Sequence, residues 1–191
     1  MPGLPPELLR RVQALLEAKS PPVLVAIDGP AGSGKSSLAE ALHQLFPGSL
    51  VIRADDFFLR PHQRNAARLQ EPGGNLDRER LAAEVLAPLA SGSYRGHMRY
   101  NCQTGQMETV PGAVRPLVLI EGSYSHHPDL RGYYDLTVFL DTDGETQLQR
   151  LKDRCRDEAL LARFKDIWIP LENAYFDHFD LRNKADLLIT G

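Results

Sequence analysis

Residues 23–40 constrain this chain more than any other stretch. Val23 to Asp28 is an apolar, β-branched run, and Gly29-x-x-x-x-Gly34-Lys35-Ser36 follows it directly. Leu38, Ala39, Ala41, Leu42 and Leu45 then recur as helix formers. Strand, glycine-rich turn and helix are the setting in which that spacing makes a phosphate-binding loop. To hold a polyphosphate, several main-chain N–H groups must converge on one concavity, through conformations that glycine adopts at least cost. The helix that follows adds unpaired N–H groups and the positive end of its dipole. Gly29, Ala31, Gly32, Ser33, Gly34, Lys35, Ser36 and Ser37 are therefore expected to line a nucleoside triphosphate site. Lys35 would reach the β/γ-phosphates and the Ser36 hydroxyl would ligate Mg²⁺.

Length and composition set the bounds. At 191 residues the chain is expected to form one domain, residues 1–191, around a single core. A formal charge of −3 argues against a general nucleic-acid or anionic-membrane binder. Cys102 and Cys155 are the only cysteines, and their spacing fits neither zinc nor a disulfide framework. They read as reduced thiols of a cytoplasmic protein. No run approaches transmembrane length and no signal peptide is visible, so no membrane partner is expected.

In chain order, residues 1–20 read as a leading helix, with Leu8, Leu9, Val12, Leu15 and Leu16 at helical spacing after Pro5 and Pro6. Ser49 to Ile52 reads as a second strand, followed by Asp55 and Asp56 at the carboxyl edge, where open α/β sheets bind ligands. An Asp turn or helix cap explains the same two acids. Arg60, His62, Arg64 and Arg68 make the next segment basic, either a solvated face or a clamp for a substrate phosphate. Leu76 to Ala90 returns to helical spacing with Asp77 as its N-cap. Residues 91–112, with Tyr94, His97, Tyr100 and many polar residues, suit a loop or hairpin over the site. Leu117 to Gly122 is a buried strand ending in Glu121, which either organises Mg²⁺ or merely caps the sheet end. Leu136 to Asp141 is a fourth strand and Ala185 to Ile189 a fifth. Between them Thr146 to Leu161 reads as helix, continuing to Phe179 with an interruption at Ile169-Pro170. Arg150, Arg154 and Arg156, in an arginine-rich region 146–168, form either a charged surface or a lid over phosphates. Alternation of strands and helices implies a parallel sheet covered on both faces.

Gly29 to Ser36, Asp55-Asp-Phe-Phe58, Val118-Leu-Ile-Glu-Gly122, Tyr134 to Asp143 and Ala185-Asp-Leu-Leu-Ile189 together resemble the uridine kinase-like group of P-loop kinases. That group includes uridine–cytidine kinases, nicotinamide riboside kinases, phosphoribulokinase and pantothenate kinase. The resemblance implies a P-loop NTPase-type three-layer α/β fold, with five parallel strands in the order 2-3-1-4-5. It also implies Mg-ATP-dependent phosphorylation of a small-molecule hydroxyl by a monomer or homo-oligomer. In that family pattern Asp55 is the general base and a metal-side acid, Asp77 binds sugar hydroxyls, and Arg150, Arg154 and Arg156 belong to the lid. Arg60 and Tyr100 fall on the acceptor side. Uridine kinases carry a His five residues after the base-reading Tyr, whereas position 105 is Gly here. The Asp-Asp-Phe-Phe run is similar to that of nicotinamide riboside kinases. Other readings are a nucleoside monophosphate or other metabolite kinase, and a regulatory nucleotide-binding module without transferase activity. No Asn-Lys-x-Asp guanine-reading motif is present.

Overall fold

A computed structural model describes residues 4–190; residues 1–3 of the expected leading segment and Gly191 lie outside the described residues. Five parallel strands form the main sheet: β1 (Val23–Asp28), β2 (Leu50–Arg53), β5 (Leu117–Glu121), β6 (Leu136–Asp141) and β7 (Leu187–Thr190). The antiparallel pair β3 (Gly96–Asn101) and β4 (Gln106–Pro111) stands apart as a hairpin. The sheet order β2-β5-β1-β6-β7 is the expected 2-3-1-4-5 once the hairpin strands are left out of the count. The central strand β1 is buried at every position, with Val25 beside Leu119 on one flank and Leu136 on the other.

Alternation along the strands builds two hydrophobic layers. Val23, Val25 and Ile27 point to one face, where they meet Leu8 and Val12 of α1 (Pro6–Ala18) and Ala39 and Leu42 of α2 (Lys35–Leu45). Leu24 and Ala26 point to the other, against Leu81, Val85 and Leu89, with Phe139, Tyr175 and Phe176 in the same cluster. The segment after β2 forms a 3₁₀ turn over Ala54–Phe57 and the short α3 (Ala66–Gln70). It leads into α4 (residues 78–90), capped by the Asp77 side chain on Arg80 N–H. After α5 (Pro128–Arg131) come α6 (Gly144–Arg154), α7 (residues 158–179) and α8 (Leu181–Lys184).

Two helix boundaries differ from expectation. The stretch 146–161 is not one helix: α6 begins earlier, capped by Asp143, and breaks at Cys155 before Asp157 caps α7. Proline at 170 does not interrupt α7, because a π turn at Phe164–Trp168 precedes it. A proline removes one N–H and presses on the carbonyl four residues back, and widening the preceding turn relieves both demands. Pro88 in α4 follows a π turn at Ala82–Leu86 by the same offset.

Candidate active site

The loop Gly29–Ser36 joins β1 to α2 at the carboxyl edge of the sheet. Gly29 adopts φ 144°, and a Cβ there would come within 2.1 Å of the Leu140 carbonyl oxygen, so only glycine lets β6 pass this closely. The Lys35 ammonium donates to the carbonyls of Gly29 (2.7 Å) and Pro30 (2.9 Å), which folds the side chain back over the loop. The N-terminus of α2, at Gly34, has no side-chain cap, and the buried Ser33 Oγ has no hydrogen-bond partner. An uncapped helix end beside an orphaned hydroxyl and a lysine is a donor set fitted to a phosphate chain.

Supports for the loop come from far along the chain. Asp28, fully buried, accepts from Gly29 N–H (2.7 Å), His126 N–H (2.9 Å) and the Tyr175 hydroxyl (3.0 Å). Glu172 accepts from Ala31 N–H (2.8 Å) and from the Ser123 hydroxyl (2.6 Å). Gln147 of α6 donates to the Ala31 carbonyl at 3.0 Å, and Arg150 Nη1 to the Gly32 carbonyl at 3.3 Å.

The acids expected at the rim are there. Ser36 Oγ donates to Glu121 Oε2 at 3.0 Å, with Arg53 Nε 3.9 Å from the other oxygen. Burial pushes the Glu121 carboxyl up, as does the neighbouring Asp55, while the Ser36 hydrogen bond and Lys35 hold it down. Asp55 faces the same space: a Cβ on Gly122 (φ 137°) would lie 3.3 Å from its Oδ1 and 2.9 Å from the Ala54 Cβ. Its carboxylate is open to water at the cleft mouth yet walled by protein, and that desolvation raises its pKa. Asp56 adds to the rise; Lys35, Arg154 and Arg53 oppose it. Water in the cleft mutes all of these influences.

One hydroxyl and two carboxylates, Ser36, Asp55 and Glu121, fit an ion that keeps several waters and shares its shell with substrate phosphates, as Mg²⁺ does. No tighter group of three or more His, Cys, Asp or Glu arranged for a metal occurs among the described residues.

The hairpin fastens to the acid-bearing turn. His97 is buried, its Nε2 donating to Asp56 Oδ2 (3.3 Å) and its Nδ1 2.9 Å from the Tyr94 hydroxyl, and its ring packs on Phe57 at 5.1 Å. Arg80 bonds the Asp56 carbonyl (2.8 Å) and the Met98 carbonyl, and stacks over Phe57. Cys102 at the hairpin tip lies within the electrostatic reach of Asp55, Asp56 and Arg64. Tyr100, on β3, is buried in the hairpin.

Not every expected residue reaches the centre with free hydrogen-bonding groups. The Asp77 carboxylate is buried and engaged, accepting from Arg80 N–H (3.1 Å) and Gln63 Nε2 (2.8 Å). Arg60 is tied to that network through Gln63 Oε1 at 3.0 Å. Arg68 is bound to Glu79, to Glu71 and to the Gly74 and Leu76 carbonyls, so it is a structural brace for its segment. Arg154 stacks on Phe164 and extends its charge to Asp55. Arg156, exposed in the break between α6 and α7, makes no hydrogen bond or ion pair among the described residues. Asp28, Ser123, Gln147, Glu172 and Tyr175 are site residues that sequence reasoning missed. Gln147 and Glu172 reach the loop across separations of 116 and 141 residues, Ser123 and Tyr175 act through Glu172 and Asp28, and Asp28 adjoins the loop as the last, buried residue of an apolar strand.

No protein-family model matches the chain. It is 23% identical over 184 residues to a uridine kinase from Clostridium novyi, covering 88% of this chain and 86% of that one. Its fold is shared with the structure of a possible uridine kinase from Bacillus stearothermophilus, with TM-score 0.64 and 19% identity over 96% of this chain and 99% of that one. It is shared also with D-glycerate 3-kinase from Cryptococcus neoformans, with TM-score 0.57 and 16% identity over 89% and 86% of the two chains. No helix among the described residues is long and apolar enough to cross a membrane.

Proposed function

We propose that this chain, similar over most of its length to uridine kinases, is an ATP-dependent kinase phosphorylating a hydroxyl of a nucleoside-like or related small metabolite. The observation that carries the reading is the meeting of Asp55, Lys35, Ser36 and Glu121 at one rim of the sheet. The Gly29, Ala31 and Ser33 amides are already engaged by Asp28, Glu172 and the Pro30 carbonyl, so the uncapped amides at the start of α2, Gly34 to Ser37, and the Ser33 hydroxyl bind the phosphate chain of ATP. Lys35 leaves the Gly29 and Pro30 carbonyls for the phosphate oxygens, which are stronger acceptors because they are charged. Ser36 and Glu121, with Asp55, would hold Mg²⁺, which would supply neutralisation of the phosphate charge.

Asp55 accepts the proton of the acceptor hydroxyl and aims that oxygen along the line of transfer. Phosphoryl transfer asks little covalent chemistry of a protein, so most of the rate comes from this positioning and from charge stabilisation. Arg150, already against the loop, and Arg154, one turn along α6 and stacked on Phe164, meet charge on the transferred group. Arg156 joins them if the break at 155–157 closes. On the acceptor side Asp77, Arg60 and Tyr100 shape the cleft, while Asp56 is fixed by His97. Arg68, spent on its own segment, lends nothing to a phosphate-bearing acceptor.

A panel of nucleosides, riboside vitamins and sugars assayed for ATP-dependent phosphorylation tests the proposal. Turnover of at least one acceptor, abolished in Asp55→Asn while ATP still binds, is expected. Stoichiometric ATP binding with no acceptor phosphorylated would instead favour the regulatory module.

A further inference from the structure

Glu172 is a carboxylate in an unusual place. It is 5% exposed, on the inner side of α7, and its two oxygens hold the Ala31 amide of the phosphate loop and the Ser123 hydroxyl. Lys35, bonded to the Gly29 and Pro30 carbonyls, attracts it electrostatically, while the Asp28 carboxylate repels it and Tyr124 lies within its field. The loop is built to attract anions, yet an anion already stands against its underside. An incoming triphosphate brings several negative charges to the same lysine, at short range and with little water between. Two like charges in such a setting cannot both persist cheaply.

We propose that Glu172 is a positioning residue that keeps Lys35 and the Ala31 amide in place in the nucleotide-free loop, and that ATP binding drives a proton from solvent onto it. The inference rests on the kinase reading above. The balance is simple: the carboxylate and one solvent proton become a carboxylic acid, and no bond other than O–H changes. Both contacts survive the step. One oxygen still accepts from Ala31 N–H, and the new O–H donates to Ser123 Oγ, because a serine hydroxyl serves equally as donor or acceptor. The side chain thus loses its charge without losing its grip. Burial already pushes the Glu172 carboxyl up in the empty site, against the pull of Lys35 and of its two hydrogen bonds. Burial and an incoming anion therefore act in the same direction, toward the protonated acid.

Glu172→Gln copies the protonated form, with the amide oxygen facing Ala31 N–H and the NH₂ facing Ser123 Oγ. Calorimetric titration of ATP with Mg²⁺ into the whole protein, in buffers of different ionisation enthalpy, counts the protons taken up. The wild type is expected to take up more protons per ATP than Glu172→Gln, which cancels the protons contributed by ATP itself. The variant is expected to bind ATP more tightly at pH 8, by about tenfold for each unit that nucleotide raises the carboxyl pKa. Ser123→Ala, which removes a donor favouring the charged form, is expected to move the pH window of uptake upward. Equal proton counts with equal or weaker ATP binding in Glu172→Gln overturn this inference and leave the kinase reading standing. Failure of the wild type to bind ATP overturns both.

Discussion

At the scale of single residues the site is a contest among carboxylates. Asp55, Glu121 and Glu172 are all pushed up by loss of hydration, and Lys35 pulls each of them down. A base must be ionised to work, so turnover should fall on the acid side as pH drops through the raised Asp55 value. The midpoint in a kcat/KM–pH profile should lie above the usual aspartate range. Asp55→Asn should lower kcat by about 10²–10⁴-fold, the ordinary worth of a positioned base, with the Kd for ATP little changed. For Glu172 the sign concerns stability. An acid whose folded pKa exceeds its unfolded one binds more protons when folded, so stability declines as pH rises between the two values. Each unit of that difference is about 1.4 kcal/mol. Glu172→Gln should therefore melt higher than wild type at pH 8 without nucleotide, and the gap should close in acid, below both pKa values. A variant that melts lower at pH 8 would contradict this.

At the scale of elements, the loop and the hairpin make different demands. Gly29→Ala places a methyl group against a main-chain carbonyl that a strand fixes, at a φ that alanine resists. Loss of about 2 kcal/mol or more in stability, with ATP binding abolished, should show in melting and titration. The hairpin is held at its root by the Tyr94–His97–Asp56 chain. His97→Ala frees Asp56, so the KM for the acceptor should rise about tenfold with the KM for ATP steady, consistent with one lost hydrogen bond. The loop was legible because strand, glycines, lysine and helix stand within eighteen consecutive positions. The two rim acids were legible for a similar reason, since each ends an apolar run. Tyr175 and Glu172 were not: α7 meets the end of β1 and the loop across separations of 147 and 141 residues, which no local pattern encodes. Pro170 misled because a single-residue rule sees the missing N–H but not the π turn that accommodates it.

At the scale of the whole molecule, the sheet divides labour between its faces. The side covered by α1 and α2 buries aliphatic side chains, and α1 touches no site residue through a hydrogen bond among the described residues. Leu8→Ala should cost about 2–5 kcal/mol in denaturant melts and leave both KM values unchanged at low temperature. A change in KM would mean that the far layer communicates with the cleft. The opposite side carries Phe139, Tyr175 and Phe176 in edge-to-face and tilted contact. Through Tyr175 and Glu172 this aromatic layer reaches the loop, so packing there sets the loop's shape as well as the fold's stability.

The hairpin tip has a practical use. Cys102 is exposed at the tip of the hairpin whose root bonds Asp56, and Cys155 is half-buried in the α6–α7 break. A dye attached at position 102 in a Cys155→Ser background would ride on the hairpin that is anchored to the acid-bearing turn. Its emission would report arrival of an acceptor in real time, before any phosphate moves, and would let candidate compounds be sorted by occupancy alone.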